Sequence, residues 1–269
     1  KDPRQLQPGS VVWIPMGLLP AESAQVEFVH GDVKVHTAEQ GAAANTAAAV
    51  NPPVAADTML AEGTRLQVGP DGFVTVRLAD GSVVKVSAQS DVQLRQLRRR
   101  GRAGSVQSVV EIQRGSVESS VAPSTDASRR FEVRTPRAVT SVRGTRFGVA
   151  LSESGDTTAA VLQGAVAVQS RTADNSAQHT AAATVLQPGQ GLAVQADGTV
   201  GSPRSLLPTP DLTSLPAAVH DLGLLALNVT AQAGASAYQA IVARDAELTQ
   251  VLRSGTFANG QLRWKGLDD

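Results

Sequence analysis

From residue 26 onward, apolar and polar positions alternate over short runs, each broken by a glycine and then resumed. The pattern recurs in VEFVHGDVKV (26–35), AEGTRLQVG (61–69), DGFVTVRLADGSVVKVS (71–87) and VVEIQRGSVESSV (109–121). It continues in TSVRGTRFGVAL (140–151), AAVLQGAVAVQ (159–169) and VLQPGQGLAVQADGTV (185–200). A period of two sends successive side chains to opposite faces of a pleated strand, so each run predicts a half-buried strand. Val, Thr and Phe dominate the runs, as strands prefer. Asp71-Gly72, Asp80-Gly81 and Asp197-Gly198 predict hairpins or tight turns. Turn signals about every ten residues favour a sandwich, barrel or solenoid, and their unequal intervals exclude a strict repeat. The expected fold is all-β, either a twisted β-solenoid-like arrangement or a two-sheet stack. The small aliphatic core tilts the expectation towards the solenoid.

Departures from the pattern mark boundaries. Residues 37–57, TAEQGAAANTAAAVNPPVAAD, are Ala-rich but punctuated by Gly41, Asn45, Pro52 and Pro53, which predicts a mobile insert rather than a helix. Residues 170–184 form a second polar, Ala-rich loop. SLLPTPDLTSLP (205–216) turns to Pro and Leu and reads as a linker. Beyond it, Tyr238, Ala240 and Val242 alternate, AELTQVLRSG (246–255) mixes helical and strand character up to Gly255, and Leu262 and Trp264 alternate again. The expected organisation is an N-terminal module end at 1–20, a β domain at 21–204, a linker at 205–222 and a partial β-sandwich at 223–269.

Composition narrows the function classes. Aromatic residues make up only 3% against 42% apolar overall, so the core must be built from thin β-branched layers. Lys plus Arg equals Asp plus Glu at 24 each, and a net charge of zero argues against bulk capture of nucleic acid or anionic lipid. Absence of cysteine removes disulfides, thiolate metal sites and cysteine nucleophiles. No apolar run is long enough to span a bilayer as a helix. The opening KDPRQLQPGS lacks the apolar segment of a signal peptide, and it and the closing LRWKGLDD both read as cuts within modules of a longer chain.

The chemistry-bearing candidates are few. GTRFG (144–148) lacks the second glycine and the lysine of a phosphate-binding loop, so Gly144 and Thr145 are expected to form a structural bend. Thr145 should then bond locally, with Phe147 and Val149 in the core. His30, His36, His179 and His220 share no helix face and should be independent, with no metal site. LRQLRRRGR (94–102) carries Arg95, Arg98, Arg99, Arg100 and Arg102, the densest charge in the chain. Lying between two strand runs, it should be a hairpin tip. It is either a solvated loop or a contact for a phosphate, a polyanionic glycan or an acidic partner. No aromatic interleaves it, so base stacking is not supported. Asp71, Asp80, Asp91 and Asp197 lie near turns that such side chains cap. No Gly-x-Ser-x-Gly elbow occurs, and Asn228-Val229-Thr230 matches a glycosylation sequon. No catalytic residue, metal ligand or cofactor is therefore expected.

Taken in order, VHGDVKV, LAEGTRLQVGPDGFVTVRLADGSVVKVSAQSDVQL, VVEIQRGSVESSV, FEVRTPRAVTSVRGTRFGVAL, AAVLQGAVAV and LQPGQGLAV resemble a FecR-type domain over about residues 24–200. That resemblance implies an all-β, non-enzymatic domain of the bacterial envelope, found in periplasmic parts of iron-uptake regulators. Leu6, Pro8, Gly9, Val12, Ile14 and Pro15 resemble the last strand of a LysM module, and the chain from about Leu225 is similar to fibronectin-type or Ig-like sandwiches. Three functions follow as expectations. The leading one is a non-catalytic envelope scaffold, linked to peptidoglycan through an upstream LysM region. The alternative is a periplasmic signal-transduction regulator of the iron-uptake type. The third is a glycan-active enzyme on a β-helical frame. The expected partners are peptidoglycan and an envelope protein, without nucleic acid or direct membrane insertion, in an exported bacterial protein.

Overall fold

The computed structural model describes residues 20–37, 54–99, 106–124, 129–142, 144–171, 183–213, 215–216, 224–246, 248 and 250–265. Residues 1–19, with the LysM-like stretch, lie outside these, as do most of the insert at 37–57, most of the loop at 170–184 and the end of the linker.

The alternating runs become strands as the pattern predicts. They are β1 (Ala24–His30), β2 (Val33–His36), β3 (Met59–Leu60), β4 (Arg65–Val68), β5 (Phe73–Leu78), β6 (Val83–Val86), β7 (Asp91–Arg99) and β8 (Val106–Ser120). There follow β9 (Arg130–Arg134), β10 (Ala138–Val142), β11 (Arg146–Leu151), β12 (Thr157–Gln163), β13 (Val166–Ser170), β14 (Thr184–Leu186), β15 (Gln190–Val194) and β16 (Arg204–Ser205). They pair into two sheets that share one strand. Sheet I runs β2-β4-β7-β8-β9-β10-β13-β14. Sheet II runs β3-β1-β5-β6-β8-β11-β12-β15-β16. No closed barrel forms among the described residues.

Of the two architectures, the structure adopts the two-sheet stack. Every strand pair in the two sheets is antiparallel except β8 with β9. The glycine links are too short for the crossovers that parallel neighbours need, so the chain folds back antiparallel. Among the described residues no β-helical frame forms.

Corners in the chain come from two kinds of glycine link. Gly81, Gly155 and Gly198 close turns whose flanking strands stay in one sheet, whereas Gly31, Gly144, Gly164 and Gly189 stand where the chain crosses between sheets. β8 crosses without interruption. Its first part pairs with β7 and β9 in sheet I, and residues 115–120 pair with β6 and β11 in sheet II. Gly115 is the pivot, with φ +82°, and a Cβ there would lie 2.2 Å from Ser90 Oγ and 2.6 Å from Ser90 Cα. Only glycine combines that backbone with that approach.

The inward faces are mainly Val and Leu, fully buried at Val74, Val84, Val110, Val133, Val161 and Leu186. One aromatic contact joins the layers, with Phe131 of sheet I and Phe147 of sheet II edge to face at 6.2 Å between centroids.

The remaining strands are β17 (Leu224–Asn228), β18 (Tyr238–Ala243), β19 (Val251–Phe257) and β20 (Gln261–Lys265). They pair β17-β20 and β18-β19 around a separate small core of Leu225, Val229, Tyr238, Leu262 and Trp264. Gly255 does not end its run as expected, because β19 continues through it to Phe257. The Phe257 ring packs over the site where a Cβ would stand, so the strand keeps its course by leaving that space open.

Candidate interaction face

The outward face of sheet I carries a cluster of paired arginines and carboxylates. Strand alternation turns Leu66, Val92, Val110, Ile112 and Val133 inward, which leaves Arg65, Asp91, Gln93, Glu111, Glu132 and Arg134 on the other side. Arg65, Gln93, Glu111, Arg134, Val139 and Gln169 then form one row across six adjacent strands.

Three carboxylates sit low on this face, each braced by arginine. Arg65 donates a fork to Asp91, Nε to Oδ1 at 2.6 Å and Nη2 to Oδ2 at 2.5 Å, and Arg114 lies opposite Asp91 in register. Glu132 is fully buried. Arg130 donates to its Oε1, and Arg134 donates Nε and Nη2 to its Oε2 at 2.9 and 2.6 Å. Ser141 Oγ donates to Oε1 at 3.4 Å. Glu111 accepts from Arg171 Nη1 at 3.1 Å and has Arg95 Nε at 3.8 Å.

Burying a carboxylate is costly unless cations and hydrogen bonds compensate. Burial pushes the Asp91 carboxyl up, but the fork from Arg65, with Gln67 and Arg114, together outweighs it and holds the group below its ordinary value. The same hydrogen bond raises Arg65. Compensation overshoots. Arg65, Arg95, Arg114, Arg130, Arg134 and Arg171 face Asp91, Glu111 and Glu132, six positive groups against three negative, a surplus of three. A chain with no net charge thus has a cationic face. Towards β14 the face turns apolar through Val139, Ala167 and Val185, the last 54% exposed.

The arginines singled out in the sequence are only partly here. Arg95, Arg98 and Arg99 lie on β7, not at a hairpin tip, because the β7-β8 ladder continues to Arg99 opposite Val106. Arg98 pairs with Glu62 and Arg99 with Glu22, which ties the strand end to neighbouring segments. Arg100 and Arg102 lie outside the described residues. Arg65, Arg114, Arg130, Arg134 and Arg171 went unnoticed because they are spread along the chain. The detectable signal was Arg-x-Glu-x-Arg at 130–134, three charges on one strand face.

Gly144 takes φ +63° at the crossing from β10 to β11. Thr145 departs from its expected local hydrogen bond. Its buried hydroxyl has no protein partner, and its carbonyl instead accepts from Val121 N at 2.8 Å. Phe147 and Val149 are buried.

His30 Nε2 lies 2.7 Å from Arg253 Nη1, and His36 Nε2 lies 3.0 Å from Gln67 Oε1. His179 and His220 lie outside the described residues. Among the described residues no group of three or more His, Cys, Asp or Glu could hold a metal ion. Asp80 and Asp197 accept from backbone N–H groups two residues on, Ser82 at 2.9 Å and Thr199 at 2.8 Å. On sheet II, a cavity of about 230 Å³ lies between the outward face and β18, lined by Lys85, Glu118, Gly148, Ala150, Ala160 and Ile241 among others. Desolvation lowers the Lys85 pKa there. No helix among the described residues is long and apolar enough to cross a membrane.

Comparison with curated proteins finds no match. Two crystal structures of a "putative anti-sigma factor" from Parabacteroides distasonis ATCC 8503 are similar at 24% identity and a TM-score of 0.40, over 53% of this chain and 59% of theirs. The chain thus spans less than two thirds of the length of those structures. Residues 64–167, from just before β4 into β13, match the FecR protein family. The matched stretch contains Asp91, Glu111 and Glu132 and all the bracing arginines except Arg171, while β1–β3 and β14–β16 complete the same two sheets.

Proposed function

We propose that this chain is a non-catalytic interaction domain of a FecR-type signalling regulator, exported to the bacterial envelope, where it senses a partner protein. The carrying observation is the FecR family match over 64–167, which falls on the strands that build the arginine-carboxylate face. This favours the regulator over the peptidoglycan-linked scaffold. In this reading the buried ion pairs hold a rigid, flat face, and binding works by shape and charge rather than by reactive groups.

The test is genetic. Removing residues 64–167 in the source bacterium should change expression of a defined sigma-factor-dependent gene set, and restoring the full chain should reverse the change. Unaltered transcription, together with co-sedimentation of the full chain with purified peptidoglycan sacculi, would establish the scaffold instead.

A further inference from the structure

We infer that the outward face of sheet I docks an acidic surface of a partner protein, with Arg65, Arg95, Arg114, Arg130 and Arg134 as its cationic contacts to the partner's carboxylates. The inference rests on the reading of the chain as an interaction domain and adds the chemistry of the partner.

Three observations carry it. The first is charge. The arginines span the strands from β4 to β9, with Arg171 reaching in from beyond β13, and they outnumber the carboxylates among them by three. With strands about 4.8 Å apart, the distance from β4 to β13 is about 24 Å, wider than a single small anion. The second is preorganisation. A guanidinium has five donors in a fixed fork, and the buried carboxylates occupy only some of them. Arg130 keeps 63% side-chain exposure while held by its hydrogen bond to Glu132, and Arg95 stands 60% exposed beside Glu111. Holding a side chain in its bound geometry beforehand lowers the entropy cost of association. The third is the surroundings. The apolar flank of Val139, Ala167 and Val185 beside the arginines matches the mixture found at protein interfaces. Among the described residues no Phe, Tyr or Trp lies on this face, since Phe131 points into the core, and the one imidazole at its edge, His36, is engaged with Gln67, so sugar rings or bases find little stacking platform.

The purified full chain would be titrated against labelled poly-L-glutamate by fluorescence anisotropy, with dextran sulfate in parallel. The expected result is binding of poly-L-glutamate at low salt that weakens about tenfold at about 0.15 M salt. Arg95→Gln/Arg130→Gln should weaken it about tenfold further, while Arg204→Gln/Arg263→Gln, which removes the same charge off the face, should stay within about twofold. The first pair leaves Glu111 with Arg171 and Glu132 with Arg134, so the fold should hold. Should it melt early, the single change Arg95→Gln, at a long and exposed pair, gives the same direction of effect. Absence of poly-L-glutamate binding at low salt, equal losses in both double variants, or preference for dextran sulfate would each overturn the proposal. The binding assay uses purified protein, so its failure is distinguishable from failure of the transcriptional response in cells.

Discussion

Arg129 and Asp80 are 49 residues apart in sequence and joined at 2.5 Å, with side chains only 10% and 6% exposed. Asp80 belongs to the β5-β6 turn and Arg129 to the entrance of β9, so the pair links a sheet II hairpin to the chain returning to sheet I. Arg129 also donates to Ala122 O at 2.7 Å and Ser82 Oγ at 2.9 Å. Removing one partner of a buried pair strands the other charge. Arg129→Ala should therefore lower unfolding stability by about 3 kcal/mol in urea titration. Arg129→Met combined with Asp80→Asn should cost less than the sum of the single changes. Strict additivity would show that the pair is not coupled.

Glycines with the same backbone but different surroundings should differ in tolerance. Gly81 and Gly115 have nearly the same φ, +81° and +82°, yet a Cβ at Gly81 meets nothing within 4 Å while one at Gly115 collides with Ser90. Gly81→Ala should cost about 1 kcal/mol, the backbone term alone. Gly115→Ala adds a clash with the neighbouring crossing and should cost several-fold more, read as a much larger fall in Tm. Equal losses would show that the close approach of Ser90 to Gly115 carries no cost.

Thr140 turns its hydroxyl into the space between the sheets, where Oγ1 is buried without a protein partner. Thr140→Val keeps β-branching and removes the unpaired group. Thermal unfolding should show a stability gain of about 1 kcal/mol. A loss would mean that the hydroxyl is satisfied, for instance by an ordered water.

Asp91 and His30 each add a pH-dependent contribution. The folded pKa of Asp91 lies below its ordinary 3.8. Its contribution is complete above that unfolded value and is lost as pH falls through the lower folded one. Arg65→Gln should therefore flatten the acid limb of the stability curve below about pH 4. His30 is lowered from 6.5, first by desolvation, then by Arg253 and Arg244, with Asp71 opposing. A lowered histidine contributes stability above its unfolded pKa that is lost as pH falls through the folded value. An NMR titration should place the His30 midpoint below 6.5, and acidification should weaken the contact between β1 and β19.

Strand content was legible in residues such as Phe73, Val84, Val133 and Val166, because period-two burial is a local property of each run. The turn at Asp80-Gly81 was legible for the same reason, since its hydrogen bond closes within two residues. The candidate face was not. Its charges are ordinary surface residues until the fold brings Arg65 within hydrogen-bond reach of Asp91 and Arg171 beside Glu111, 26 and 60 residues away. Density in sequence drew attention to Arg98 and Arg99, which bind structural acids instead.

The sequence by itself determined that these runs would be strands, that Asp-Gly pairs such as Asp80-Gly81 would turn the chain and that the core would be aliphatic, because backbone sterics and side-chain alternation act over a few residues. Only the tertiary structure decided which strand joins which sheet, that β8 passes through Gly115 into both, and that six arginines converge on three acids. Those outcomes depend on long-range register, in which each strand is positioned by partners far away in the chain.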